Sequence, residues 1–302
     1  MSVAGTVGLR ALALAAALSV FTLGLPSADA SLIVEDFTYT SGAQLLRLRG
    51  GSGWQDNAQG ANSTNSWGAS TGGSGNSARI VIDPGNLTYS TGGYAITQTG
   101  TGYAVGNYIG FRGINRYTAQ DLTGTIWFSI LLRNEVTADH AGLQFNNHAD
   151  PYAGTDYDRG GFDVGLHGTS LIVHYGGADS ASLATLAVGA THLLIGRWDV
   201  GAGNDTLSLW ADPANLAAGP GGLGTPLFTQ NNADLGANLF LAGVYSWGAS
   251  STTTSRGGRM DALRIADGLT GFTDVAGVPE PGTLALTLLG LAAVSRRLRR
   301  KR

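Results

Sequence analysis

The residues of this chain best suited to acid–base chemistry are its carboxylates, and their spacing does not favour glycoside hydrolysis. A glycosidase flanks the scissile bond with two carboxyl groups. Between residues 31 and 277 the chain has two glutamates, Glu35 and Glu135, which are far apart in sequence. Asp156 and Asp158 could supply a pair, yet they fall in a loop-like stretch. A carbohydrate-active enzyme, either a glycoside hydrolase or a lyase, is therefore the alternative hypothesis, and no catalytic residue is assigned.

Several aspartates suit a calcium ion. Asp156 and Asp158 lie among glycines and tyrosines, and carboxylate oxygens on flexible loops are ligands that calcium prefers. Asp261 is a second candidate because it falls on the same predicted strand face as Leu263 and Ile265, which would bury it. A buried carboxylate needs an arginine, backbone donors or a metal. The alternative is that these aspartates shape turns and strand ends. No cofactor is required, and these aspartates are compatible with a structural calcium ion.

Three tryptophans and one histidine are candidates for carbohydrate binding, which uses exposed aromatic platforms with a few polar groups. Trp127 and Trp210 point away from the main apolar face of their predicted strands, and Trp247 follows a strand end. His167 lies on the outward face of its predicted strand, opposite the apolar face. The alternatives are packing in the core or beneath a loop for each tryptophan, and a solvated strand position for the histidine.

Composition restricts the function further. The chain has no cysteine, which excludes disulfides and thiolate chemistry. Residues 31–277 contain 11 Arg against 17 Asp and 2 Glu, a net charge of −8. Because nucleic-acid binding needs a basic surface, this acidic region argues against a nucleic-acid partner.

Short apolar runs separated by turn residues predict the elements that position these side chains. Residues 125–133 alternate over two partly apolar faces, which is typical of a strand inside a sheet. Residues 162–167 and 171–175 flank a Gly-Thr turn, and 191–200 with 206–210 form a second hairpin. The 47 glycines favour tight turns over long helices. The pattern predicts an all-β fold, a two-sheet antiparallel sandwich.

The N-terminal end carries a targeting signal. Residues 1–30 have the positive start, apolar core and small-residue ending of a secretory signal peptide, with Ala28, Ala30 and Ser31 at the cleavage site. We expect a signal helix that directs export through the Sec pathway, and an uncleaved anchor is the alternative. Residues 31–277 then form the exported domain.

Residues 278–302 combine a rigid joint, an apolar helix and a basic end. The joint is Val278, Pro279, Glu280 and Pro281, and the basic cluster is Arg296, Arg297, Arg299, Arg300, Lys301 and Arg302. Basic residues after an apolar segment stay on the cytoplasmic side, so we expect a short transmembrane helix in the inner membrane. The 14 uncharged residues of 282–295 would span about 21 Å, against a hydrocarbon core of about 30 Å.

This tail resembles the sorting domain of PEP-CTERM exported bacterial proteins, which share the Pro-Glu-Pro triplet, a membrane helix and an Arg-rich end. The resemblance implies an exosortase, a membrane protease-transpeptidase that cuts near Pro279-Glu280-Pro281, as a partner. The chain would be anchored by its C-terminal helix and then reach the cell surface or the medium after processing. The alternative is a permanent single-pass anchor that is never cut.

The exported domain resembles a family of LamG-like, concanavalin A-like jelly-roll domains. The matching segments are residues 35–37, 50–54, 125–131, 193–199 with 204–206, and 259–265. The resemblance implies two antiparallel sheets packed face to face with the first and last strands adjacent. It also implies a calcium ion where those strands meet, which would bring Asp261 to the region of Asp36. The family's own activity is largely undefined.

These observations predict an exported, surface-displayed and non-catalytic β-sandwich. Its role would be adhesion, or association with an extracellular polysaccharide or biofilm. A purely structural coat protein would differ from this only in lacking a ligand.

Overall fold

The structure is a computed structural model. It describes residues 32–45, 48–54, 67–69, 80–91, 94–96, 100–106, 112–146, 161–175, 178–201, 204–233, 235, 238–247, 257–268 and 270–277. The predicted signal peptide with its cleavage site, the aspartates 156 and 158, and the tail 278–302 lie outside the described residues. None of the helices within these described ranges is long and apolar enough to cross a membrane.

The described chain is nearly all β-structure. Its strands are β1 (Leu32–Glu35), β2 (Gly68–Ala69), β3 (Ile80–Pro84), β4 (Ser90–Thr91), β5 (Tyr94–Ala95), β6 (Gly102–Gly106), β7 (Arg112–Leu122), β8 (Thr125–Arg133), β9 (His140–Asn146), β10 (Gly161–His167), β11 (Ser170–Tyr175), β12 (Ala178–Asp179), β13 (Ala184–Thr185), β14 (His192–Asp199), β15 (Asp205–Ala211), β16 (Phe228–Ala233), β17 (Leu239–Trp247) and β18 (Arg259–Asp267). Two short 3-10 helices, Leu216–Ala218 and Pro220–Leu223, and one α-helix, α1 (Gly271–Ala276), complete the described elements.

The strands form two large antiparallel sheets and one small hairpin. Sheet 1 has the order β16-β15-β14-β8-β18-β6-β3, with β1 also paired to β18. Sheet 2 has the order β12-β11-β10-β9-β17-β7-β2, with β13 also paired to β11. Strands β4 and β5 pair with each other. The first and last strands are therefore adjacent, and the predicted jelly-roll sandwich of two antiparallel sheets is confirmed.

Side chains at alternate positions of the strands fill the space between the two sheets. On β8, Ile126, Phe128 and Ile130 are fully buried on the inner face. The Phe128 ring of sheet 1 lies 4.7 Å, centroid to centroid, from the Phe145 ring of sheet 2. Gly196 on β14 makes room for this contact, because a Cβ at that position would collide with the Phe128 ring. The hydrophobic core is thus the region between the two inner faces.

The outer face of sheet 1 is also covered. A second apolar cluster includes Trp127 of β8, Trp210 of β15 and Ile195 of β14, and the α1 residues Phe272 and Val275 pack against it. The Ser129 hydroxyl donates to the Val275 carbonyl at 2.6 Å and holds α1 in place. Sheet 1 is therefore covered on both faces, and the candidate site lies on the outer face of sheet 2.

Candidate ligand-binding site

A row of polar residues crosses the outer face of sheet 2. Asn115 on β7 and Gln144 on β9 are both register partners of Gly243 on β17, and Gln144 is also the partner of Asp163 on β10. Asp163 in turn pairs with His174 on β11. We call Asn115, Gln144, Asp163 and His174 the polar row. It arises because polar residues occupy alternate positions on strands whose other residues fill the core.

The two amides of the polar row are bonded to each other. The Gln144 side-chain amide donates to the Asn115 side-chain oxygen, and both side chains are buried. A Cβ on Gly243 would collide with that Asn115 oxygen, so the glycine between them allows the contact. The remaining donor and acceptor positions of the two side-chain amides are thereby held at fixed places on the sheet.

Beside the polar row, Tyr245 lies close against the strand backbone. A Cβ on Gly142 or on Gly165 would lie 2.5 Å from the Tyr245 hydroxyl oxygen, so the ring occupies the space that side chains at these glycines would take. Tyr245 is 2% exposed. It therefore belongs to the floor of the outer face and does not project from it.

Two histidines follow Tyr245 along the same face. His140 and His167 are register partners on β9 and β10, and their rings stack at 4.1 Å with an interplanar angle of 11°. The His167 Nε2 atom lies 3.3 Å from the Tyr245 hydroxyl, within reach of a hydrogen bond whose direction depends on the histidine tautomer. Both histidines are partly exposed, so they form a rim beside the recessed tyrosine.

The site therefore has a recessed floor and a partly exposed rim. Asn115, Gln144 and Tyr245 are buried, whereas Asp163 and His174 are partly exposed, as the two rim histidines are. Amide, carboxylate, imidazole and phenol groups donate and accept hydrogen bonds in many directions. Such an arrangement suits a ligand rich in hydroxyl groups.

Of the residues predicted to bind carbohydrate, His167 lies in this site and two tryptophans do not. Trp127 and Trp210 are buried and stack on each other at 6.0 Å beneath the cover of sheet 1. Trp127 also meets Phe272 edge to face at 5.1 Å, and the Trp210 ring nitrogen donates to the Gly224 carbonyl at 3.0 Å. These two rings cannot offer an exposed platform, and packing beneath a cover is their role. Trp247 is the register partner of His140, and its side chain is not among those described.

The predicted calcium ligands that the structure describes have protein partners instead. An Asp36 carboxylate oxygen lies 2.6 Å from the Arg264 guanidinium. Asp261 is fully buried and accepts from the backbone N–H groups of Leu87 and Ala262 at 2.9 and 2.8 Å. Arginine and amide donors therefore stabilise the charges of Asp36 and Asp261, which is the role that a calcium ion was expected to have there. In the described part of the chain, no group of three or more His, Asp or Glu side chains could hold a metal ion.

The two glutamates of the domain are engaged in structural contacts. Burial raises the pKa of Glu35, and hydrogen bonds from the Tyr39 hydroxyl and the Phe37 N–H, with the charge of Arg116, counteract that rise. Glu135 forms ion pairs with two arginines, Arg133 and Arg259, at 2.9 and 3.0 Å. Neither carboxyl group is placed on the outer strands that carry the polar row.

Sequence reasoning missed most of this site. The alternation of polar and apolar residues in β9 and β10 identifies outward positions such as Gln144 and Asp163. It does not reveal that β17 lies next to β9, which is what brings Tyr245 and Asn115 to them. The sequence does show glycines at outward positions of these strands. A glycine at such a position allows a neighbouring side chain to lie over the strand backbone.

Comparisons with known proteins give likenesses in fold. No protein-family profile matches the chain, and no curated protein matches it in sequence. The endo-β-1,4-glucuronan lyase of the fungus Trichoderma reesei is 12% identical with a TM-score of 0.41, covering 68% of this chain and 96% of the lyase. The carbohydrate recognition domain of Emp47p is 11% identical with a TM-score of 0.40, covering 80% and 100%. The Crh5 transglycosylase is 11% identical with a TM-score of 0.42, covering 79% and 85%. The strand order described above is what establishes the fold.

Proposed function

We propose that this chain is an exported, surface-displayed β-sandwich that binds carbohydrate without catalysing a reaction. Its role would be adhesion or association with an extracellular polysaccharide. The observation that carries the proposal is the recessed set of Asn115, Gln144 and Tyr245 on the outer face of sheet 2. The matching face of sheet 1 is closed by an apolar cover, so the two outer faces differ in kind.

The use of hydrogen-bonding residues in a recess supports a saccharide ligand. A ligand site combines a concave surface with a few fixed polar groups. The Gln144–Asn115 pair and the His167–Tyr245 contact fix four side chains in position before any ligand arrives. Preorganised polar groups of this kind reduce the entropy lost on binding.

The placement of the carboxylates supports the non-catalytic part of the proposal. Asp139 accepts from the N–H groups of Glu135 and Val136 at 3.1 Å in a turn. Asp205 accepts from the N–H groups of Gly201 and Leu235 at 2.7 and 2.8 Å. Carboxylates that close turns are committed to the fold, whereas glycoside hydrolysis requires two carboxyl groups facing a shared substrate.

A glycan array tests the binding proposal. The full-length protein is compared with the Gln144→Ala variant and with Gln230→Ala, which removes the same group from β16 on the other sheet. We expect wild type and Gln230→Ala to bind the same glycans and Gln144→Ala to lose them. The absence of any bound glycan, or equal binding by all three proteins, would argue for a structural coat protein without this site.

The export and sorting part of the proposal rests on the two terminal signals. We infer that the chain is cut near Pro279-Glu280-Pro281 by an exosortase-type enzyme after its C-terminal helix has entered the inner membrane. Mass spectrometry of the mature protein from its native host tests this. A C-terminus near Glu280 is expected, and recovery of an intact chain ending at Arg302 would mean that the tail is a permanent anchor.

A further inference from the structure

The helix α1 is fixed over the centre of sheet 1. The Ser129 hydroxyl donates to the Val275 carbonyl at 2.6 Å, and Ser129 is the middle residue of β8. In the order of sheet 1, three strands lie on either side of β8. Phe272 of α1 also meets the Trp127 ring of this strand at 5.1 Å. The chain is therefore held at the middle of the outer face of sheet 1 just before it leaves the domain.

The helix ends soon after this contact. Gly277 is exposed, has a left-handed φ of 64° and donates its N–H to the Thr273 carbonyl, which closes the last turn. The uncharged run of the predicted anchor begins at Gly282, and the charge of Glu280 is expected to keep the joint 278–281 out of the hydrocarbon. Five chain steps from Gly277 to Gly282 reach at most roughly 18 Å.

This reach is too short for sheet 2 to face the bilayer. From Ser129 to the edge of sheet 1 is about 14 Å across the strands and about 13 Å along β8, and the second sheet lies about 10 Å further away. A tether that starts at the centre of one face would need about 24 Å to pass the edge and both sheets. A joint of roughly 18 Å therefore reaches the membrane only on the side of sheet 1.

The N-terminal end of the domain lies on the same face. Leu32, the first residue of β1, is the register partner of Ala266 on β18 and packs against the apolar cluster that contains Phe272. The predicted signal cleavage site between Ala30 and Ser31 directly precedes it. Both predicted membrane segments are therefore connected to the outer face of sheet 1.

The cover of sheet 1 is also poor in charge, although the domain is acidic. Residues 84–111 and 213–233 contain no Asp, Glu, Lys or Arg, and both segments contribute apolar side chains to this cover. Arg197, which lies over the Trp127 ring, is paired with Asp199 at 2.9 Å. Anionic lipids repel an acidic surface. A charge-poor side therefore approaches such lipids at a lower electrostatic cost than the remainder of a domain whose net charge is −8.

Resting on the proposed export and anchoring, we propose that the cover of sheet 1 is the membrane-facing surface of the anchored protein. Before the tail is cut, the domain lies on the lipid headgroups through α1 and the two charge-free segments. The outer face of sheet 2 then points away from the bilayer. The anchored protein therefore presents the candidate ligand-binding site to a glycan before its release.

Fluorescent labels on single cysteines test this orientation, and the chain has no cysteine of its own. The full chain is produced in a bacterium without an exosortase, so that it is exported and keeps its tail. It is then reconstituted into vesicles of phosphatidylethanolamine and phosphatidylglycerol whose headgroups carry a nitroxide, which quenches a nearby bimane label.

The label positions compare the two outer faces. Ser90→Cys and Ala217→Cys lie at exposed positions in the segments that cover sheet 1, on β4 and on the first 3-10 helix. Ser170→Cys lies on sheet 2 at a partly exposed position and is the register partner of His167. We expect the nitroxide to remove most of the fluorescence of the labels at positions 90 and 217 and little of that at position 170.

A longer joint is the matched control. A Gly-Ser insert of about 20 residues between Gly277 and Val278 has a root-mean-square length of roughly 25 Å, which lets the domain turn over. The difference in quenching between the two faces should then shrink. An unchanged difference would mean that the short joint does not set the orientation, and this inference would fail.

The remaining outcomes separate the orientation from the anchoring on which it rests. If the label at position 170 is quenched as strongly as those at positions 90 and 217, the protein is anchored but the proposed orientation is wrong. If the protein does not stay with the vesicles during flotation, the proposed anchoring itself fails. The glycan array tests the binding proposal in either case.

Discussion

Gln144 on β9 and Asn115 on β7 are hydrogen-bonded to each other although β17 runs between their strands. The residue of β17 at this level is Gly243, which is the register partner of both. Because glycine has no Cβ, the two side chains meet above the backbone of the middle strand. The continuity of the polar row across sheet 2 therefore depends on a residue that contributes no functional group.

A methyl group at position 243 should break this contact. In Gly243→Ala the Cβ would collide with the side-chain oxygen of Asn115 and with the carbonyl of Ile114. Overpacking of this kind costs about 1–3 kcal/mol of unfolding free energy. We expect that loss in urea denaturation, together with loss of glycan binding.

Gly221→Ala is the matched control for this substitution. A Cβ at Gly221 has no heavy atom within 4 Å, so the same chemical change should leave both stability and binding close to wild type. Equal losses in the two variants would show that glycine-to-alanine changes act generally, and that the contact at Gly243 has no special part.

Tyrosine and tryptophan substitutions should separate the site from the cover of sheet 1. Trp210→Phe shrinks a buried ring and removes the donor to Gly224, so we expect a loss of about 1–3 kcal/mol in unfolding free energy with unchanged glycan binding. Tyr245→Phe removes a hydroxyl and keeps the ring, so stability should fall by about 0.5–1.5 kcal/mol while binding is lost. Denaturation and glycan binding are measured on both variants. If Trp210→Phe loses binding and Tyr245→Phe keeps it, the ligand binds on sheet 1 and not on sheet 2.

The strand pattern predicted which way these side chains point but not what meets them. Period-two alternation is a local property, and it was sufficient to predict that Trp127 and His167 point away from the core. What covers Trp127 is α1, which follows the last strand, and what lies beside His167 is Tyr245 from β17. Both contacts depend on strand order, which is set by pairings between segments far apart in the chain.

Charge patterns were least informative about individual carboxylates. Its place on the same strand face as Leu263 and Ile265 correctly indicated that Asp261 is buried. The donors that stabilise it come from Leu87, in a distant loop, and from Ala262, whose positive φ of 51° marks an irregularity in the pairing of β18 with β8. Neither a bulge nor a long-range loop contact has a reliable local signature, so the sequence was compatible both with calcium and with amide donors at Asp261.

The bonding of Asp261 predicts how the protein responds to calcium. In Asp261→Asn one carboxylate oxygen becomes an NH₂ group, which cannot accept from the N–H of Leu87 or Ala262. A buried donor left without an acceptor costs about 1–3 kcal/mol, and we expect this loss in denaturant unfolding. The melting temperature of the wild type should be the same with added calcium and with a chelator. If added calcium raises the melting temperature of the wild type but not that of Asp261→Asn, calcium binds at Asp261.

His192 should make the stability of the protein depend on pH. Its Nδ1 lies 2.6 Å from an Asp212 carboxylate oxygen and its Nε2 lies 2.9 Å from the Ala187 carbonyl, so both ring nitrogens face acceptors. Burial lowers the pKa of His192, but the hydrogen bonds to Asp212 and Ala187, with the charge of Asp212, outweigh it and leave the pKa above its ordinary value of 6.5. The charged form is therefore favoured by folding.

A histidine whose pKa is higher in the folded state stabilises the protein fully below the unfolded pKa, and this stabilisation is lost as the pH rises through the folded pKa. We expect the unfolding free energy of wild type to exceed that of His192→Gln most at about pH 5, and the gap to shrink above about pH 6.5. Asp212→Asn removes the carboxylate partner and should weaken this pH dependence even with His192 present. A gap between wild type and His192→Gln that stays constant from about pH 5 to about pH 9 would mean that His192 contributes through packing and not through its charge.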